Sequence, residues 1–240
     1  MQMPMLNPAL SGLWVNEFAA GLSWTGGVLR IPMAPFVRID GFNPILHSGF
    51  GISATGTAAN LEDDPIVVRG NYNYQIRFKD SGRLSFGLML SYATLNQTQE
   101  STAGFGFAYA TPTWHFGLAA QNVIVLFDEP QNQIQRPMFL ATGHYLFKIS
   151  EALSFKPEGL LGQAENEELF YNIGAKASYT FAYLGVYYLR DDGLFEGIDK
   201  RWAYSAGINL FRFLNLDYAI STSGITDLRH TITFRLYAPN

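Results

Sequence analysis

IVVRGNYNYQIRFKDSGRLSFGLMLSYAT, residues 66–94, consists of two runs with a period of two that meet at Asp80, Ser81 and Gly82. Such a pattern around a short Gly-bearing turn predicts a β-hairpin. Tyr72, Tyr74, Ile76 and Phe78 share one face of the first run, and Asn71, Asn73, Gln75 and Arg77 share the other. In the second run Leu84, Phe86, Leu88 and Leu90 oppose Ser85, Gly87, Met89 and Ser91. A water-facing strand would carry Lys, Glu, Arg and Thr in quantity, whereas Gly, Ser, Ala and Asn predominate on the weaker face here. That face is expected to line a barrel interior, with the aromatic and aliphatic face turned to lipid. Leu88→Arg is therefore expected to impair membrane assembly far more than Met89→Arg.

The rest of the composition agrees. Charged residues make up 15% and aromatic residues another 15%, against roughly 25% charged in an ordinary soluble domain. A soluble β-barrel is disfavoured by the same outer face. The net charge of −4 leaves no basic footprint, so no nucleic-acid partner is expected. With no cysteine, disulfide and zinc-thiolate frameworks are excluded. The long uncharged stretch 101–127 is broken by Gly104, Gly106, Pro112, His115 and Gln121 and has a period of two, so it is not a spanning helix. The start lacks the basic region and apolar core of a signal peptide, so an outer-membrane location requires that a signal was removed or omitted.

The chain is expected to form one domain over residues 1–240, with residues 1–14 a non-strand lead-in rich in turn residues. About 14 strands follow, each near the length a tilted membrane strand needs: 15–24, 34–41, 45–55, the hairpin pair, one through Phe105, Phe107 and Tyr109, one through Trp114, Phe116 and Leu118, a hairpin turning at Ser150 and Glu151, then 170–179, 183–189, 201–210, 214–221 and 229–237. The fold class is an all-β, transmembrane, antiparallel up-and-down barrel. Long and short connections are expected to alternate after the first strand, with Asn96 to Ser101 among the long ones. The short set and both termini should be periplasmic. Phe78, Tyr109, Trp114 and Tyr183 near short turns, and Trp24, Tyr92, Tyr188 and Trp202 near long connections, suit two aromatic girdles.

Four stretches in order, Asn7-Pro8-Ala9-Leu10-Ser11-Gly12, GNYNYQIRFKDSGRLSFGL, FLATGHYLFKISEALSFKPEGLL and the closing RHTITFRLY, resemble PorP/SprF-type outer-membrane proteins of the type IX secretion system. The sequence differs from that pattern in a shorter lead-in before Asn7 and in ending Tyr237-Ala238-Pro239-Asn240 without a strand-terminal aromatic. The resemblance implies a 14-stranded outer-membrane barrel without catalysis, whose partners are outer-membrane lipid and either secretion components or a secreted surface protein. A passive pore for small solutes is the alternative. The longest connections, about ten residues, are expected to be too short to fold deep into the lumen, so side chains or a partner must close a narrow pore.

No catalytic, cofactor-binding or metal-ligating residue is expected, and the partner contacts are not legible. His47, His115 and His144 fall in the small polar phase, but their separations match no ligand spacing. His230 reads as interfacial. The acidic clusters Glu62-Asp63-Asp64 and Glu165-Glu167-Glu168 could supply hard oxygen ligands, yet match no calcium loop and read as solvated. Asn96-Gln97-Thr98 fits the glycosylation triplet by chance, and Gly104-Phe105-Gly106 lies in a strand pattern that no helix follows. Glu17, Arg38, Arg77, Lys156, Glu158, Lys176, Asp217 and Arg235, all predicted to face the lumen, are of mixed sign and are expected to pair there, because unpaired buried charge is costly. No Ser-His-Asp set can be assembled.

Overall fold

The computed structural model describes residues 7–11, 16–25, 33–56, 66–78, 81–95, 98–128, 134–165, 169–190, 200–211, 213–223 and 227–238. Its strands are β1 (Asn16–Thr25), β2 (Met33–Asn43), β3 (Ser48–Thr55), β4 (Ile66–Arg77), β5 (Arg83–Leu95), β6 (Thr98–Ala110), β7 (Trp114–Asp128), β8 (Met138–Tyr145, resumed at Phe147–Lys148), β9 (Leu153–Ala164), β10 (Leu169–Tyr179), β11 (Ala182–Arg190), β12 (Lys200–Phe211), β13 (Leu214–Ser223) and β14 (Asp227–Ala238). Each pairs antiparallel with its sequence neighbours, and β14 closes on β1 from Asn16↔Ala238 to Thr25↔Arg229. The result is a closed 14-stranded barrel. Closure satisfies every ladder and leaves no open edge, the condition for strands to cross a bilayer.

The alternation read from the central hairpin is realised side chain by side chain. Tyr72, Tyr74, Phe86, Leu88 and Leu90 point outward and are exposed, while Asn71, Asn73, Gln75, Ser85, Met89 and Ser91 are buried in the interior. Aromatic rings meet at both rims. Tyr109 lies 6.2 Å from Phe78 and 5.1 Å from Trp114 by ring centroid at the short-turn rim. Tyr188 lies 6.1 Å from Tyr171 and 5.0 Å from Trp202 at the other. Tyr183 does not belong to the girdle. It is 8% exposed and faces the lumen in phase with Gly185 and Tyr187. In that strand aromatic residues occupy both faces, so size alone could not assign the phase. Trp24 has its side chain outside the described residues.

Two connections depart from expectation. The polar stretch Asn96 to Ser101 is mostly strand: residues 96–97 alone separate β5 from β6, so the strict long and short alternation fails there. Both strands have 13 residues, more than the roughly 9 to 11 that a bilayer requires, and the polar excess continues the ladder past the apolar band. Strand β3 starts at Ser48, because Asn43 Oδ1 accepts from Ile45 N (3.0 Å) and Leu46 N (3.2 Å) and fixes a turn at residues 44–47. His47 ends that turn with φ 48°, exposed and out of the lumen.

Strand β7 bulges. Between the pairs Ala103↔Ile124 and Phe105↔Ala120, the single Gly104 faces residues 121–123. Asn122 takes φ 54° there, a left-handed conformation Asn tolerates. A Cβ on Gly104 would overlap the Ala120 carbonyl oxygen and Gln121 Cα, so the glycine serves the bulge. Gly104→Val should cost about 1–3 kcal/mol, the usual range for overpacking, seen as a lower urea midpoint for unfolding from lipid vesicles.

Candidate functional site: an occupied lumen

The N-terminal segment lies inside the barrel. Pro8–Leu10 forms one 3₁₀ turn, with Asn7 Oδ1 accepting from Ala9 N (3.0 Å) and Asn7 O accepting from Leu10 N (3.0 Å). An Asn cap followed by Pro is a favoured helix start, since Pro has no N–H to leave unsatisfied. Residues 7–11 are all buried, with Ala9 and Leu10 packed on Ala108 and Ala110.

Strands β3–β7 hold this segment by polar side chains and by clearance. Asn73 Nδ2 donates to Pro8 O (3.1 Å) and Ser11 O (2.6 Å), while its Oδ1 accepts from Gly49 N (3.1 Å) and Gln75 Nε2 (3.0 Å). Asn71 Nδ2 donates to Ser11 Oγ (3.2 Å), and Asn7 Nδ2 reaches Phe107 O and Leu118 O (3.2 Å each). A Cβ on Gly49 would overlap Ser11 O, one on Gly87 the backbone of Pro8 and Ala9, and one on Gly106 or Gly117 the Asn7 amide. The small residues of the lumen face are thus the seat of the lead-in. The described part of the lead-in, residues 7–11, is a single 3₁₀ turn, and its place inside the barrel depends on five strands that touch it only in three dimensions.

A second segment enters near the other rim. Glu100, fully buried, accepts from Ile134 N and Gln135 N through Oε2 (2.7 Å each). Ser91 Oγ donates to Gln135 Oε1, and Asn122 Nδ2 donates to Arg136 O (3.2 Å). Ile134 and Gln135, late in the connection from β7 to β8, are therefore held against the inner wall near the rim by anchors close to the ends of β5 and β6. Residues 129–133 of that connection lie outside the described residues. Glu100→Ala removes two hydrogen bonds to a carboxylate, worth roughly 1.5–3 kcal/mol each. Faster amide exchange at Ile134 and Gln135 is the expected result.

Six of the eight charges predicted to face the lumen form ion pairs, as their mixed sign predicts. Arg38 bonds Asp40 and lies 3.5 Å from Glu17. Lys156 Nζ is 2.6 Å from Glu158, which also accepts from Tyr187 OH (2.6 Å), and Arg235 is 2.9 Å from Asp217. Two cations use aromatic rings instead: Arg77 sits 4.5 Å over Phe42, and Lys176 Nζ 3.4 Å over Tyr183. A cavity of about 280 Å³ lies beside β9–β14, opposite the lead-in.

Of the histidines, only His115 and His144 meet. They are direct ladder partners with Nδ1···Nε2 3.4 Å, while His230 stands on the outer face with Nδ1 2.7 Å from Tyr218 OH. Among the described residues no three His, Cys, Asp or Glu side chains gather as a metal would need. Glu165 is exposed; Glu62, Asp63, Asp64, Glu167, Glu168, Asn96 and Gln97 lie outside the described residues. Gly104-Phe105-Gly106 lies within β6, its glycines serving the bulge and the lead-in.

The model of one family, described as type IX secretion system membrane protein PorP/SprF, matches residues 47–236. The chain belongs to that family. As a PorP/SprF protein with a closed barrel and an apolar outer face, it resides in the outer membrane. Nothing among the curated proteins matches it. Solved structures share the fold at low identity. The Acinetobacter baumannii outer membrane protein Omp33 has TM-score 0.66 and 8% identity, covering 95% of this chain and 100% of that one. The CymD monoaromatic hydrocarbon channel has TM-score 0.60 and 10% identity, covering 100% and 93%. KdgM porin has TM-score 0.52 and 7% identity, covering 93% and 99%. The PorP/SprF match starts after the lumenal lead-in, which it does not include.

Proposed function

We propose that this PorP/SprF protein is a non-enzymatic, partner-holding barrel of the type IX secretion system. It binds secretion components, retains a secreted surface protein, or does both, while lipid surrounds its outer face. The observation that carries this reading is the partly filled lumen: the lead-in is hydrogen-bonded to β4, β6 and β7, and residues 134–136 lie against the same wall. A diffusion pore loses conducting cross-section to such filling. A barrel that docks proteins gains a rigid wall and two fixed rims.

The second reading is a passive pore. It is favoured by the porin and channel names among the structural neighbours and by the cavity that the lead-in leaves free. Liposome swelling separates the two. Vesicles carrying the purified protein should swell no faster in small sugars than empty vesicles. Swelling at a porin's rate would favour the pore.

A further inference from the structure

Among the described residues that line it, the cavity beside β9–β14 carries more positive than negative charge. Lys156, Lys176 and Arg235 line it with two carboxylates, Glu158 and Asp217. Each carboxylate already has its cation, Lys156 for Glu158 and Arg235 for Asp217. No carboxylate among the described residues is paired with Lys176, whose ammonium rests on the Tyr183 ring. The ladder makes its position worse, since Lys156 and Lys176 are direct partners across β9 and β10. Like charges directly opposite destabilise a strand pair.

The space beside Lys176 is kept open by packing. A Cβ on Gly207 would overlap the Tyr183 ring, and one on Gly174 would overlap Tyr187, so both rings lie back against glycine backbone beside the cavity. We infer that this cavity is a binding site for a small organic monocarboxylate, held by the Lys176 ammonium between Lys156 and Arg235. Among the described lining residues, one ammonium, that of Lys176, has no carboxylate in ion-pair contact, and it calls for one negative charge. About 280 Å³ is ample for a small organic acid, and far more than a halide ion would fill.

The test uses the full chain in detergent micelles, in a buffer free of carboxylates, with the thermal midpoint as the readout. Propionate should raise the wild-type midpoint saturably, while propionamide and chloride at the same concentrations should not. Lys176→Met should melt higher than wild type without ligand, because the Lys156 repulsion is gone, and should lose the response to propionate. Lys176→Arg should keep it. Lys156→Met provides a second arm: it frees Glu158 to pair with Lys176, so the response should again be lost. A propionate response that survives in Lys176→Met, or a wild-type response equal for propionate, propionamide and chloride, would overturn the site.

Discussion

Leu88→Arg is expected to leave most of the protein unassembled in the membrane, whereas Ala219→Glu is expected to assemble almost normally. Leu88 stands mid-strand in β5, 64% exposed on the outward face. An arginine at the bilayer midplane of a barrel costs roughly 2–4 kcal/mol, a large share of the 5–15 kcal/mol typical of a folded protein. Ala219 stands mid-strand in β13 and lines the cavity, where a long polar side chain has room and polar neighbours. Met89, the inward neighbour of Leu88, is not a clean control. It is 1% exposed and packs near Gly104 and the β7 bulge, so an arginine there would disturb the wall by overpacking. The heat-dependent gel shift of the membrane fraction measures assembly in both variants, and equal assembly would mean that the facing is wrong.

Gly87→Val is expected to expel the lead-in while leaving the barrel closed. The new side chain would overlap the Pro8 and Ala9 backbone, which has no slack because Asn73 and Asn71 fix Pro8 and Ser11 on either side. Expulsion leaves the buried Asn73 amide without two acceptors, at about 1–3 kcal/mol, offset where water enters the vacated space. Hydrogen exchange with mass spectrometry should find the Ala9 and Leu10 amides protected in the wild type and exchanging rapidly in the variant. The ladder amides of β10–β13, remote from residues 7–11, should be unchanged. Continued protection of Ala9 and Leu10 would show that the glycine clearance does not seat the segment.

Much of this was legible from the sequence because a barrel strand has one environment on each face. Tyr72 and Asn73 are adjacent in sequence and stand in different solvents, so the alternation of their types fixes the facing. Boundaries were harder wherever polar residues have two explanations. Thr98 to Ser101 look like a loop, yet extend a hairpin beyond the apolar band. His47 continues the inward phase on paper, but the Asn43 turn takes it out of the ladder. The lumen itself was the least legible part. Asn7-Pro8-Ala9-Leu10-Ser11 announces a turn, and Gly49, Gly87, Gly106 and Gly117 announce small inward positions. That the first fills the space left by the second depends on long-range packing that no local pattern encodes. Likewise the mixed signs of Lys156, Glu158, Lys176, Asp217 and Arg235 predicted pairing, but only the register shows that Lys176 faces another lysine.

The most direct measurement of the proposed role is an affinity pull-down of the tagged protein from native outer membrane in mild detergent, with mass spectrometry of what accompanies it. Type IX secretion components or a large secreted surface protein should co-purify with the wild type in stable proportion. Recovery of the barrel alone, together with solute flux through it in vesicles, would contradict a partner-holding function and establish the pore instead.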